Sequence, residues 1–292
     1  MKEFEEKIKR MFKEFCERLE IKNPEEQIPK LVTYLMTDGT RTSTNLSQEK
    51  AYMDGSKFSA RFLLISKIVG CKDSYVNVFE EFHRSRGNYP KIYPALLKVV
   101  PEWKEFTMNN NIRLKFVGKL DESIAPEGFK EDLRLHLRDL EDLTKNNEFG
   151  AYIFINFNRE YAEKNRDRFK DWPTVNAVIR FTKGLSAPES MWLPGKIRYE
   201  SLIYVQQGSS SLNWSDRQLV FLIALALRAI SRNPKFSARA DYKDEERERI
   251  RKLREKEAVF VNEDFYDKEL DEGKDAKVAM IFTEVGPERY RF

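Results

Sequence analysis

Residues 31–42, Leu-Val-Thr-Tyr-Leu-Met-Thr-Asp-Gly-Thr-Arg-Thr, restrict the fold more than any other stretch of the chain. The first half is short, apolar and β-branched, the pattern of a buried strand. Asp38-Gly39 closes it with a turn signal, and a helical pattern follows from about residue 48 to residue 69. A strand, a glycine turn and a helix in that order are one half of a βαβ unit. Backbone N–H groups at such a turn and at the helix N-terminus point toward an anion. An Asp at the strand end can hold Mg²⁺ beside it. Asp-Gly also serves as a plain tight turn, so this stretch sets the architecture and leaves the ligand open.

The rest of the chain keeps the alternation. Phe4, Ile8, Phe12, Phe15 and Leu19 have helical spacing, and Asn23-Pro24 interrupts it. After the strand at 31–36 and its helix, residues 75–79 read as a second strand, with a polar loop to residue 88. Residues 93–106 read as a helix that Pro101 should break. Residues 112–117 alternate cleanly, with one basic face, and end at Gly118. Residues 129–144 form a charged helical pattern. The apolar run 150–156 reads as a central parallel strand. Short strands are expected at 177–180 and 202–205, an apolar helix at 215–230, a charged helix at 241–257 and a strand-like run at 277–282. The prediction is an α/β fold, a mostly parallel open sheet of about six strands with helices on both faces. Ligands should bind at the strand C-termini. The organisation expected is a helical extension over 1–30, an α/β domain over 31–235 and a charged extension over 236–292.

Composition narrows the function classes. The chain has 292 residues with a formal net charge of +4, too small an excess to argue for nucleic acid. Cys16 and Cys71 have no metal or disulfide spacing. Two histidines, His83 and His136, leave little material for a zinc site or a Ser-His-Asp triad. The charged N-terminus carries no signal-peptide pattern, and the apolar run 219–229 is too short to span a bilayer. A reduced, cytoplasmic setting is expected.

Several segments together resemble the cis-prenyltransferases, the undecaprenyl diphosphate synthase family. Asp38-Gly39 after an apolar strand resembles that family's Met-Asp-Gly-Asn-x-Arg. Tyr52-Met-Asp-Gly55 at the start of an amphipathic helix is similar to its His-x-x-Gly. Phe79-Glu-Glu-Phe-His-Arg-Ser-Arg86 resembles the Phe-Ser-x-x-Asn-x-x-Arg loop. Asn111-Ile-Arg-Leu-Lys-Phe-Val-Gly-Lys-Leu120 is similar to Val-Arg-Leu-x-Phe-Ile-Gly-x-Leu. Val178-Ile-Arg180 resembles the strand that delivers a phosphate-binding Arg, and Ser190-Met-Trp-Leu-Pro the Ser-x-Phe-Leu-x-Trp motif. The resemblance covers roughly residues 30–235, carried by the order and spacing of these segments. There are departures. Thr42 stands where the first motif has Arg, with Arg41 adjacent, and Tyr52 stands for the family His. The second Arg before the Ser is missing, with Lys183, Lys196 and Arg198 nearby. Ser201, beside Glu200, takes the place of a Glu that helps hold Mg²⁺ in bacterial members.

The resemblance implies condensation of isopentenyl diphosphate with an allylic prenyl diphosphate to a Z-prenyl diphosphate, with Mg²⁺ as cofactor. Asp38 would be the metal ligand and, with Arg86, catalytic. Gly39, Thr40, Arg41, Thr42, Tyr52, His83, Arg180 and Ser190 would bind substrate. A homodimer or a heteromer with a related subunit is expected, with membrane contact through the lipid product. The alternatives are a non-catalytic subunit supporting an active partner and an ordinary α/β phosphate-binding protein. Phe58, Phe62, Phe79 and Phe154 would either line a prenyl tunnel or fill the core.

Overall fold

The computed structural model describes residues 2–37, 47–182, 190, 193–206, 214–232, 278–283 and 286–291. Asp38, Gly39, Thr40, Arg41 and Thr42 lie outside the described residues, as does the charged helix expected over 241–257. In chain order the elements are α1 (Lys2–Arg18), α2 (Pro24–Gln27), β1 (Val32–Thr37), α3 (Gln48–Val69), β2 (Asp73–Glu80), α4 (Tyr89–Asn109), β3 (Ile112–Val117), α5 (Leu133–Thr144), β4 (Phe149–Phe157), α6 (Arg159–Lys164), β5 (Val175–Thr182), β6 (Ile197–Gln206), α7 (Asp216–Arg232), β7 (Val278–Thr283) and β8 (Gly286–Arg291).

The strands form one eight-stranded sheet in the order β3-β4-β2-β1-β5-β6-β7-β8. The strands from β3 to β6 pair in parallel; β7 and β8 continue the sheet antiparallel. This is the expected mostly parallel sheet. The alternation of side chains sorts the strands into two cores. Phe116, Ile153, Val76, Leu35 and Ile179 lie side by side in register and pack with α1, α3, α4, α5 and α7. On the opposite face Tyr34, Tyr75, Tyr152, Phe154 and Val178 pack under Ala162 of α6 and Phe169. There the Tyr75 and Tyr152 rings stack at 4.6 Å, and Tyr34 stacks on Phe154 at 4.9 Å. Tyr75 Oη donates to the Pro173 carbonyl at 2.8 Å, so its polar end is satisfied.

Local chemistry fixes the helix ends. Ser47 Oγ accepts from the Lys50 N–H and starts α3, and Gly70 at φ 96° ends it. Two helices depart from expectation. Pro101 does not break α4, which runs through both Pro94 and Pro101; packing against α3, α5 and the sheet outweighs the lost backbone bonds. The helix expected from residue 129 begins at Leu133, because the Asp132 side chain caps it by accepting from the Arg134 N–H. Residues 126–129 form a turn instead, with the Phe129 N–H donating to the Pro126 carbonyl.

The apolar run 219–229 is accounted for within the chain. α7 is buried against the sheet, α3 and α1, where Phe15 meets Phe221 at 5.0 Å between centroids and Arg217 pairs with Glu14 at 3.1 Å. The apolarity of α7 therefore supplies no argument for a partner chain. Among the described residues no helix is long and apolar enough to cross a membrane.

Candidate active site

The C-terminal edge of the parallel strands carries the polar groups. Arg180, near the end of β5, is 2% exposed and lies level with Met36 of β1. β2 ends irregularly, with register shifts on either side of Phe79. Such bulges re-aim side chains, and here the last residue, Glu80, is 0% exposed. Its Oε1 accepts from the Ser190 N–H at 3.0 Å and from Ser190 Oγ at 2.5 Å. Asn77 Nδ2 donates to Ser190 Oγ at 3.0 Å and more weakly to Glu80 Oε1 at 3.4 Å. Glu80 and His83 also form a reciprocal cap. The His83 N–H donates to the Glu80 carboxylate, and the Glu80 N–H donates to His83 Nδ1 at 2.9 Å. Accepting at Nδ1 places the proton of neutral His83 on Nε2. His83 thus closes a turn, as Phe82 stacks against it at 4.1 Å.

Behind this edge lies an apolar cavity of about 100 Å³, between the sheet and α3, α4 and α5. Tyr52, Gly55, Ser56 and Ser59 line it from α3; Leu96, Val99, Val100 and Trp103 from α4; Leu133, Leu137 and Leu140 from α5. Its two helical serines are already bonded. Ser56 Oγ accepts from Trp103 Nε1 at 2.5 Å, and Ser59 Oγ donates to the Gly55 carbonyl at 3.0 Å. Thr37 at the end of β1 and Asn77 of β2 border it from the sheet, with Val78, Phe116, Ile153 and Ile155. Asn77 belongs to both features: it borders the cavity and holds Ser190. Its Oδ1 is buried with no hydrogen-bond partner among the described residues.

A second cluster sits further along the edge. Lys119 Nζ donates to Glu81 Oε1 at 2.9 Å, and Asn158 Nδ2 donates to Glu81 Oε2 at 2.6 Å. The Glu81 bond raises the Lys119 pKa above its ordinary value. These groups satisfy one another and brace the ends of β3 and β4. Arg86 lies apart from the cavity. Its guanidinium sits 4.9 Å over the Phe82 ring, in a wide groove of about 850 Å³ shared with Arg84, Glu122 and Asn158.

Of the residues selected from sequence, Tyr52 lines the cavity and Ser190 and His83 meet at Glu80, whereas Arg180 lies level with Met36, whose side chain belongs to the core on the other face of the sheet, and Arg86 borders a neighbouring groove. Of the four aromatic candidates none lines the cavity. Phe58 packs edge-on against Phe181, Phe79 against Tyr89, Phe62 is fully buried, and Phe154 faces the opposite core. The residues that sequence reasoning passed over are Asn77 and Glu80. For Glu80 a signal exists: it falls where the resembling loop motif has Ser.

Among the described residues, Thr37, Asn77, Glu80 and Ser190 place oxygen donors along the edge. That suits a hard cation such as Mg²⁺, which takes few protein ligands and completes its shell with water and phosphate oxygens. The buried, unpartnered Asn77 Oδ1 is an acceptor that such an ion fits. Among the described residues there is no group of three or more His, Cys, Asp or Glu side chains that could hold a metal alone.

The solved structure of lavandulyl diphosphate synthase from Lavandula x intermedia, in complex with dimethylallyl diphosphate, matches at a TM-score of 0.55 and 12% identity. The match covers 68% of this chain and 96% of that one. The chain shares its fold with lavandulyl diphosphate synthase. A probable undecaprenyl diphosphate synthase from Campylobacter jejuni is similar at a TM-score of 0.46 and 15% identity, over 65% of this chain and 90% of that one. No protein-family model matches the chain, and no curated protein matches it. At 12% identity the lavandulyl diphosphate synthase fold is what is shared, and the chemistry has to be argued from this chain's own residues.

Proposed function

We propose that the chain binds an allylic prenyl diphosphate, tail in the apolar cavity and diphosphate at the strand C-termini, and condenses it with isopentenyl diphosphate to a Z-prenyl diphosphate. The observation that carries this reading is the sharing of Asn77 between an apolar cavity and a polar edge. That arrangement suits an amphiphile with an anionic head and a hydrocarbon tail. The shared fold with a synthase whose structure holds dimethylallyl diphosphate supports it. An apolar cavity of roughly 150 Å³ accepts benzene, so one of about 100 Å³ suits a single five-carbon unit.

In this reading Asp38 would hold Mg²⁺, with Asn77 Oδ1 as a further oxygen donor, and Gly39, Thr40, Arg41 and Thr42 would offer backbone N–H groups to the allylic diphosphate. When bound, Mg²⁺ supplies charge stabilisation to the departing diphosphate. Arg180 and Arg86 add positive charge for the two diphosphates, and Tyr52 stands at the cavity wall beside the reacting carbon. The apolar walls exclude water from the ionising substrate. The setting proposed is cytoplasmic, with contact to a membrane through the lipid product.

The test is Mg²⁺-dependent incorporation of isopentenyl diphosphate into dimethylallyl or farnesyl diphosphate. Turnover supports the proposal. Binding without turnover supports the second reading, a non-catalytic subunit that needs a related partner, in a homodimer or a heteromer. Two observations favour that second reading: the departures at Thr42 and Ser201, and the Glu80 carboxylate seated on the Ser190 donors. Neither binding nor turnover leaves an ordinary α/β phosphate-binding protein.

A further inference from the structure

The Glu80 carboxylate is surrounded as a bound anion would be. Ser190 contributes its N–H and its O–H, the His83 backbone N–H contributes another donor, and Asn77 Nδ2 holds Ser190 Oγ from behind. These donors are neutral, converge on one carboxylate at a strand end, and join through Asn77 to the lining of the apolar cavity. Neutral N–H and O–H groups focused on a single point bind carboxylate and phosphoryl oxygens by the same physics. Glu80 is 0% exposed, so bulk water does not reach its carboxylate.

We infer that Glu80 is an internal rival for the anion site of the chain: its carboxylate occupies the Ser190 and His83 donors that would otherwise receive a phosphoryl oxygen of a diphosphate. The inference rests on the proposed reading of this edge as a diphosphate site, and it names the residue that sets how tightly that site takes an anion. A diphosphate reaching Ser190 has to displace the carboxylate and then tolerates its negative charge nearby. Both effects weaken binding. A short neutral side chain at this position removes the occupant and the charge together. Glutamine removes only the charge, because its Oε1 can still accept from Ser190.

The test is the affinity of the full-length chain for inorganic pyrophosphate, measured by titration calorimetry. Glu80→Ser should bind pyrophosphate at least tenfold more tightly than the parent chain, with Glu80→Gln between the two. Adding Ser190→Ala to Glu80→Ser should abolish the gain. If Glu80→Ser fails to fold, Glu80→Gln, which keeps the acceptor, carries the same comparison with and without Ser190→Ala. Folded variants no tighter than the parent would overturn the inference, as would a gain that survives Ser190→Ala. 3-Methylbut-2-en-1-ol, which has the five-carbon tail and no diphosphate, reports the cavity separately. Absence of binding of this alcohol refutes the proposed function without touching the pyrophosphate result, and the converse outcome refutes only the role of Glu80.

Discussion

Gly118 shows how tightly single positions are held at the functional edge. Its φ is 155°, and a Cβ there would stand 1.9 Å from the Ile155 carbonyl oxygen. That oxygen belongs to the neighbouring strand and cannot swing away. Gly118→Ala should cost at least about 3 kcal/mol, seen as a large drop in the urea midpoint; a cost below about 1 kcal/mol would contradict this geometry. Asp73 makes a different case. It is 7% exposed, and the Gly150 N–H donates to its Oδ1 at 3.0 Å. Burial lifts its carboxyl pKa from 3.8 to about 6, against the pull of Arg113 and of the Gly150 bond. The folded state then binds this proton more tightly than the unfolded chain does. The contribution of Asp73 to stability is therefore greatest below pH 3.8, falls as the pH rises to about 6, and is flat above that. Two pKa units correspond to about 3 kcal/mol. Asp73→Asn keeps the Oδ1 acceptor and removes the titration. Its stability relative to the parent should rise by about 2–3 kcal/mol between pH 4 and pH 7 in urea titrations. A pH-independent difference would show that the carboxyl is not perturbed.

At the scale of elements, the packing of α1 onto α7 decides whether the apolar α7 is a liability. Phe15 is 4% exposed and lies between Phe221 and the Arg217 guanidinium. Phe15→Ala should destabilise the chain by about 3–5 kcal/mol, measured by chemical denaturation. A change under about 1 kcal/mol would mean that α1 merely rests on the surface. The apolar pattern made most elements legible: α3 and β3 follow periods of 3.6 and 2, and β4 is a continuous apolar run buried on both faces. What was illegible followed from tertiary forces. Pro101 reads as a helix stop, yet packing on both sides carries α4 through it. β8 contains Gly286 and Pro287 and has no apolar period. It is a strand because β7 offers it an edge to pair with. The site was half legible. Ser190 and Arg180 stand in a recognisable motif order, whereas Asn77 looks like an ordinary strand residue. Its role comes from a contact with Ser190, 113 residues away in the chain, that no local pattern announces.

For the whole molecule, the sheet divides the work. One core, under Tyr34, Tyr75 and Tyr152, is filled with stacked rings. The other leaves a cavity between the sheet and α3, α4 and α5, bordered by Thr37 and Asn77. A structure that kept both faces equally dense would have no room for a hydrocarbon tail, so the cavity is the feature on which the functional account depends. Leu137 of α5 lines it away from the Glu80 and Ser190 cluster, and a larger side chain there fills the cavity at a folding cost of about 1–3 kcal/mol. The most direct measurement is a pair of titrations, dimethylallyl diphosphate with Mg²⁺ and inorganic pyrophosphate with Mg²⁺, on the parent chain and on Leu137→Trp after circular dichroism has confirmed its fold. The account predicts that the parent binds the prenyl ligand more tightly than pyrophosphate, and that Leu137→Trp weakens the prenyl ligand at least tenfold while leaving pyrophosphate within twofold. Equal affinities in the parent, or a Leu137→Trp variant that binds dimethylallyl diphosphate as well as the parent does, would contradict it.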